Sequence, residues 1–60
     1  MEKLKQIRTE FGYTYQKMAE LLKISKTFYW QIENKQRTLT YEMAKRIADI
    51  FKKKPDDLFY

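Results

Sequence analysis

The segment over residues 14–33, TYQKMAELLKISKTFYWQIE, constrains the fold of this chain more than any other part of it. Its apolar residues recur every three or four positions, a period that places side chains on one face of a helix. They are Met18, Ala19, Leu22, Tyr29 and Ile32. Two structures fit this pattern: one continuous amphipathic helix with Ser25 in its apolar face, or two short helices joined by a tight turn over residues 23–25.

Three observations favour the turn. Ser25 fits poorly in an apolar face, but its hydroxyl can accept a hydrogen bond from a free backbone N–H and so begin a helix. Ile24 would lie off the apolar face of a continuous helix, whereas in a turn its side chain can enter the groove between two helices. Thr27 lowers helix propensity just after the proposed start. We therefore predict that the helix breaks at Ser25.

Turn and capping residues divide the whole chain into five helical segments. The segments are residues 2–11, a second that ends before the turn at 23–25, residues 26–34, residues 41–52, and a short final turn from Pro55. Their boundary residues are Gly12, Thr14, Ser25 and Thr40. Threonine and serine favour helix N-termini and glycine favours the position after a helix, so we predict an all-α fold. The first and fourth segments are expected to bury Leu4, Ile7, Phe11, Ala44, Ile47, Ala48 and Phe51.

Residues typical of one protein family recur in order along almost the whole chain. They are Leu4, Ile7, Arg8, Gly12, Thr14, Met18, Ala19, Leu22, Ile24, Ser25, Ile32, Glu33, Asn34, Arg37, Thr40, Ala44, Ile47, Ala48, Phe51, Pro55, Asp56 and Leu58. In order and spacing the chain resembles the phage repressor and Cro type of helix-turn-helix DNA-binding domain, the Xre family. The resemblance implies a compact five-helix, lambda-repressor-like fold, with one domain over residues 1–60 and the helix-turn-helix at about residues 14–34.

Three positions depart from the pattern of that family. Tyr15 stands where the family usually has glutamine, with Gln16 one place later, and Lys23 and Lys35 stand where it usually has glycine. A lysine that needs a left-handed backbone costs on the order of 1 kcal/mol, which a packed domain tolerates.

The composition argues against an enzyme or a metalloprotein. The chain has no cysteine and no histidine, so it lacks thiolate nucleophiles, disulfides, imidazole bases and the usual zinc ligands. The adjacent Asp56 and Asp57 have no further acidic partner nearby in sequence, and they fit the start of a helix after Pro55. We predict no cofactor, no metal and no small-molecule ligand, since a chain of 60 residues has little room for a pocket.

The distribution of charge points to a polyanionic partner. Thirteen lysines and arginines against eight acids give a net charge of +5. Many small soluble domains carry a similar charge on their surface, so this value alone does not identify the partner. Between residues 23 and 40 the charged residues are Lys23, Lys26, Glu33, Lys35 and Arg37. If Glu33 is paired internally, this face is wholly basic. No apolar run approaches the roughly 20 residues that cross a bilayer, and no signal peptide is evident, so we expect a cytoplasmic protein.

The resemblance implies an ion pair between Arg8 and Glu33, because the family pairs these positions between the first and third helices. Arg8 lies beside Ile7, where a cation would be partly buried. A surface ion pair would contribute little to stability, whereas loss of one partner from a dry site would cost a few kcal/mol.

The N-terminus of the second helix is a candidate phosphate site, since its free N–H groups favour anions. Tyr15, Gln16 and Lys17 surround it, and the Tyr15 hydroxyl or the Gln16 amide would replace the glutamine of the family. The alternative for Tyr15 is packing against the first or third helix.

The outward residues of the third helix are candidates for reading bases in the major groove. They are Lys26, Thr27, Trp30 and Gln31. Lys26 can donate to guanine O6 and N7, Gln31 can pair with adenine N6 and N7, and the Thr27 methyl can contact thymine. Trp30 can pack on sugars or a thymine methyl; the alternative is that it folds back into the core.

The polar segment after Glu33 carries Lys35 and Arg37, which are expected to contact the DNA backbone and orient the protein. Arg37 has a second possible target in a narrow minor groove, and both cations fit a solvated loop as well. At the C-terminus, Leu58, Phe59 and Tyr60 form a candidate homodimer interface, although Leu58 also fits the core and the terminus of a monomer could fray. A two-fold dimer would require a palindromic operator.

The sequence therefore predicts a sequence-specific regulator of transcription that binds double-stranded DNA and represses by occupying an operator. One alternative is a small helical protein-interaction module or an antitoxin-type protein, in which Trp30, Phe28 and Lys26 would grip a partner protein. RNA binding is a second alternative, but it more often uses aromatic residues on a sheet, and no sheet is evident.

Overall fold

The computed structural model of the chain describes residues 2–59, and five α-helices make up most of this range. They are α1 (Glu2–Glu10), α2 (Tyr15–Leu22), α3 (Lys26–Glu33), α4 (Tyr41–Ile50) and α5 (Pro55–Phe59). Residues 2–59 contain no strand, so the fold is all-α as predicted. None of these helices is long and apolar enough to cross a membrane.

Three of the helices begin with a side-chain cap. The hydroxyl of Thr14 accepts from the backbone N–H of Lys17 at 3.0 Å, and that of Ser25 accepts from Phe28 at 3.0 Å. Thr40 accepts from the backbone N–H of Met43 at 3.2 Å. Each cap satisfies one N–H that has no partner inside its helix, which is worth about 1 kcal/mol.

Four helices end in the same way, with a residue in the left-handed region. The four residues are Gly12, Lys23, Lys35 and Lys52, with φ between 55° and 73°. At each end the following residue donates its N–H to a carbonyl five positions back, as from Ile24 to Ala19 at 3.0 Å. The left-handed residue itself donates three positions back, the paired pattern that terminates many helices. Three lysines thus occupy a conformation that suits glycine.

The break between α2 and α3 lies where the sequence predicts it. α2 ends at Leu22, Lys23 is left-handed, and Ser25 caps α3 in an extended conformation. Ile24 is partly buried and packs against the core, as expected for a turn residue that fills the groove between two helices. One continuous helix is thereby excluded.

The core lies between all five helices and is almost free of solvent. Its buried apolar residues are Leu4, Ile7, Met18, Ala19, Leu22, Tyr29, Ile32, Ala44, Ile47, Ala48, Phe51 and Leu58. The small residues of α4 let the other helices approach its axis closely. No buried side-chain nitrogen or oxygen among residues 2–59 lacks a hydrogen-bond partner.

The structure corrects two expectations, one about the burial of Phe11 and one about the end of α4. Phe11 is not on a buried helical face: α1 ends at Glu10, and Phe11 lies in the turn before Gly12 with 49% of its surface exposed. Its ring instead meets the edge of Phe51, with 4.9 Å between the ring centroids. α4 ends at Ile50 instead of residue 52, since the left-handed Lys52 closes it early.

Leu58 was expected in the core and was also a candidate for a dimer interface, and the structure confirms its place in the core. Only 5% of Leu58 is exposed, because α5 packs this side chain against the core of its own chain. A second subunit therefore cannot gain much contact with it. Phe59 is half-buried and also packs against the core, whereas Tyr60 lies outside the described residues.

Candidate nucleic-acid interface

The helix α3 has two chemically different faces. Tyr29, Ile32 and Glu33 point inward and are at most 2% exposed. On the other side lie Lys26, Thr27, Trp30 and Gln31, which we call the outer face of α3. Because the inner face is held by the core, the outer face is presented on a rigid support.

A buried ion pair anchors the inner face. The Nε and Nη2 of Arg8 donate to the two carboxylate oxygens of Glu33 at 2.8 and 3.0 Å. Arg8 is 7% exposed and Glu33 2%, so both charges are shielded from water. This two-pronged geometry fixes α1 against α3, and it makes either charge costly to leave alone.

Aromatic residues complete this site, and we call Arg8, Tyr29 and Glu33 the Arg8 cluster. The Tyr29 hydroxyl donates to Glu33 Oε1 at 2.8 Å, and Arg8 Nη1 donates to the carbonyl of Tyr13 at 2.8 Å. Hydrogen bonding to Glu33 raises the pKa of Arg8, and burial followed by the bond to Glu33 raises the pKa of Tyr29. Arg8 is cationic and Tyr29 neutral in the folded protein at neutral pH.

The outer face of α3 is open to solvent around Trp30. Lys26 and Thr27 are exposed, and 43% of Trp30 is exposed, so the indole does not fold back into the core. These three residues line an open depression of about 420 Å³. An apolar ring beside an ammonium group suits sugars, base edges and methyl groups.

Gln31 is less free than its neighbours on the outer face. It is half-buried, and its Oε1 accepts from the Nε of Arg37 at 3.1 Å. The Arg37 guanidinium in turn lies over the ring of Phe28, 4.4 Å from its centroid. The segment after α3 thus folds back on the helix, and it places Arg37 beside a candidate base-reading residue instead of leaving it in a free loop.

The N-terminus of α2 carries the three residues expected at a phosphate. The ring of Tyr15 packs under Arg8, with 4.4 Å between Cζ and the ring centroid, and it also approaches Tyr29. The ring of Tyr15 therefore packs against residues of α1 and α3, which was the alternative to a phosphate contact. The Gln16 amide donates to Glu20 at 3.2 Å within the same helix, and Lys17 is exposed.

The surface between residues 23 and 40 is basic. Its exposed charges are Lys23, Lys26, Lys35 and Arg37, whereas Glu33, the single acid in this stretch, is buried in the Arg8 cluster. Lys35 is left-handed, with φ 59°, immediately after α3. Because Glu33 is paired inside the protein with Arg8 and Tyr29, the exposed charges of this face are all basic.

Four contacts near this surface were not predicted from the sequence. Tyr29 and Glu33 are four residues apart on one helix, a spacing that would have allowed their pairing to be expected. The contacts from Arg37 to Gln31 and to Phe28 depend on the path of a loop, which no periodicity specifies. Arg46 of α4 donates to the carbonyl of Leu22 and so satisfies the end of α2, and it too lacks a local signal.

Comparison with known protein families identifies the type of domain. A family model described as a helix-turn-helix domain matches residues 1–60. No curated protein and no solved structure matches the chain.

Proposed function

The chain belongs to the helix-turn-helix domain family, and on that premise we propose that it is a sequence-specific, double-stranded DNA-binding regulator of transcription. The observation that carries the proposal is the outer face of α3. It exposes Lys26, Thr27 and Trp30 on a helix whose other face is buried. A helix of this kind fits the major groove, where base edges can be distinguished.

The residues divide into two roles in this proposal. Lys26, Thr27, Trp30 and Gln31 contact base edges and methyl groups, with residues at the start of α3 entering the groove first. Lys35 and Arg37 follow α3 as exposed cations, and Lys35 contacts a phosphate, which gives affinity and orientation without selecting sequence. The exposed surface between residues 23 and 40 carries no acid that would repel a phosphate.

The N-terminus of α2 supplies a further phosphate contact. The first N–H groups of a helix have no partner within it, and they favour an anion. Lys17 adds an exposed positive charge, and Gln16 reaches a phosphate by exchanging its solvent-exposed bond to Glu20. Because the Tyr15 ring packs under Arg8, only its hydroxyl is proposed for this contact.

We place repression by operator occupancy as the mode of action, because bound protein excludes polymerase without a further domain. A homodimer would set two copies of α3 about 34 Å apart, one turn of DNA, and select a palindromic operator. Phe59 is proposed for such a contact through the part of its side chain that the core leaves exposed. Sedimentation of the protein with and without operator DNA tests this arrangement.

The main experiment is selection of bound sequences from a pool of random duplex DNA, followed by affinity measurements over a range of salt concentrations. Enrichment of a motif is expected, and the logarithm of the binding constant should fall with the logarithm of salt by roughly 0.9 for each neutralised phosphate. Failure to enrich any motif would remove the claim of sequence specificity.

A protein-interaction module is the second candidate, and the exposed indole of Trp30 favours it. In that case Trp30 and Lys26 would grip a partner protein, and binding of DNA would be weak. Trp30 is the single tryptophan of the chain, so its emission reports on this surface directly. A shift of its emission on adding the selected duplex supports the DNA proposal; unchanged emission, with tight and salt-independent binding of a protein, supports the module.

A further inference from the structure

Arg37 makes two contacts that a simple phosphate-binding arginine does not need. Its Nε donates to Gln31 Oε1 at 3.1 Å, and its guanidinium lies 4.4 Å from the centre of the Phe28 ring. Gln31 and Phe28 both belong to α3, so Arg37 is bound to the side of that helix. The contacts come from two directions, one polar and one aromatic, and together they fix where the guanidinium lies.

The bond from Arg37 determines which way the Gln31 amide points. A glutamine amide has an oxygen that accepts and a nitrogen that donates two hydrogens, and a free side chain can present either. With its oxygen turned to Arg37, Gln31 presents its Nε2 hydrogens to a ligand. A cationic donor also makes the reverse orientation unfavourable, because two donors would then face each other.

The guanidinium adds further donors beside that amide. Arginine carries five N–H groups and accepts none, and the contact with Gln31 uses only the one on Nε. Among residues 2–59 the guanidinium makes no other hydrogen bond. The contact with the Phe28 ring keeps the guanidinium close to Gln31, and lysine lacks the planar group that makes both contacts.

We propose that Arg37 is a specificity-determining residue, and that Gln31 and Arg37 together recognise guanine in the major groove. Guanine presents two acceptors there, N7 and O6, whereas adenine presents one acceptor and one donor. Gln31 Nε2 and the remaining N–H groups of Arg37 all donate, so together they match the two acceptors of guanine. At adenine, one of these donors would face the N6 amino group, which is also a donor. A lone glutamine would favour adenine, which is what the sequence suggests for Gln31. This inference rests on the proposed function.

The test compares the base preferences of the wild type with those of Gln31→Ala, Arg37→Lys and Arg37→Ala by selection from random duplex DNA. The wild type is expected to require guanine at one position, and Gln31→Ala should lose that requirement. Arg37→Lys keeps the charge but loses the Nε donor to Gln31, so the preference for guanine over adenine should fall roughly tenfold or more at that same position. Lys35→Ala is the matched control, and it should weaken all sequences alike.

The outcomes separate the inference from the proposal on which it rests. A wild type that selects no motif overturns both. A motif that Arg37→Lys leaves unchanged, with Arg37→Ala weakening all sequences equally, makes Arg37 a backbone contact and overturns the inference alone. Adenine at the position that depends on Gln31 overturns it as well. Effects of Gln31→Ala and Arg37→Ala that fail to add in the double variant support it, because the two side chains act as a unit.

Discussion

The two faces of α3 differ in how their polar groups are satisfied. On the inner face, Glu33 receives two hydrogen bonds from Arg8 and one from Tyr29, all between 2.8 and 3.0 Å and all shielded from water. On the outer face, Lys26, Thr27 and Trp30 point into solvent around an open depression. The fold therefore depends strongly on one side of the helix and little on the other.

This difference implies that stability and DNA recognition can be changed separately. Removing a charge from a buried pair leaves its partner unpaired in a dry site, whereas an exposed side chain has water as its alternative partner. Gln31 is the exception on the outer face because Arg37 holds it in place. Substitutions on each face test whether the two faces are independent.

The largest effect is expected from Glu33→Ala, which leaves the buried Arg8 charge without its partner. The free energy of unfolding should fall by about 3–5 kcal/mol, enough to unfold much of a domain this small. Urea titration followed by circular dichroism measures it. Glu42→Ala removes an exposed acid from the first turn of α4 and should lower stability by no more than about 1 kcal/mol. Equal effects of the two substitutions would contradict the account of the inner face.

Tyr29→Phe keeps the ring but removes a hydrogen bond to a charged group. At neutral pH the unfolding free energy should fall by about 1.5–3 kcal/mol, as measured by urea denaturation. The exposed Tyr41 allows a matched control, since Tyr41→Phe should have almost no effect.

The pH dependence of the same variant has a defined sign. Burial raises the pKa of Tyr29 above its ordinary value near 10, so at higher pH the unfolded chain loses this proton before the folded protein does. Tyr29 therefore makes the stability of the wild type fall above about pH 10, by up to roughly 1.4 kcal/mol per pH unit. Tyr29→Phe lacks this loss, so the gap between the two proteins should narrow as the pH rises. A difference in unfolding free energy that stays constant from about pH 7 to above pH 10 would contradict a raised pKa of Tyr29.

Lys26→Ala should act on the outer face alone. We expect it to relax base preference at one position of the operator by about 1–3 kcal/mol, measured from the binding of single-base variants of the duplex. Its unfolding free energy should stay within about 0.5 kcal/mol of the wild type, because Lys26 is exposed. A large loss of stability would mean that the outer face also supports the fold.

The smallest effects are expected where lysine occupies a left-handed position. Lys35→Gly and Lys52→Gly should each raise the unfolding free energy by up to about 1 kcal/mol, since glycine adopts this conformation without strain. Lys35→Gly should also weaken binding to every duplex, whereas Lys52→Gly should change affinity little. Thermal unfolding and DNA titration of both variants check this. Equal loss of affinity in both variants would remove Lys35 as a specific phosphate contact.

Local signals in the sequence predicted most of the fold. Thr14, Ser25 and Thr40 begin helices as expected. A cap is a local feature, because it needs only a hydroxyl that accepts from the backbone N–H three residues later. The break at Ser25 follows from the same rule. Phe11 was placed wrongly because the helical period continued by one residue past the end of α1, and periodicity does not locate a helix end.

The details of the candidate site were less accessible from the sequence. The Arg8 and Glu33 pair was expected only through resemblance to a family, since the two residues lie 25 positions apart. The contact between Arg37 and Gln31 spans a turn whose path depends on Lys35 adopting a left-handed backbone. The charge of Arg37 alone predicts a contact with the DNA backbone, and only the structure shows that its guanidinium touches Gln31 and Phe28.

An amide NMR titration of the protein with the selected duplex shows which surface binds the DNA. If the outer face of α3 reads DNA, the largest shifts should map to the backbone of residues 26–31, with further shifts at residues 35–37 and at the start of α2. The amides of α4 and α5 should move least. Large shifts confined to α4 and α5, with α3 unperturbed, would contradict the account.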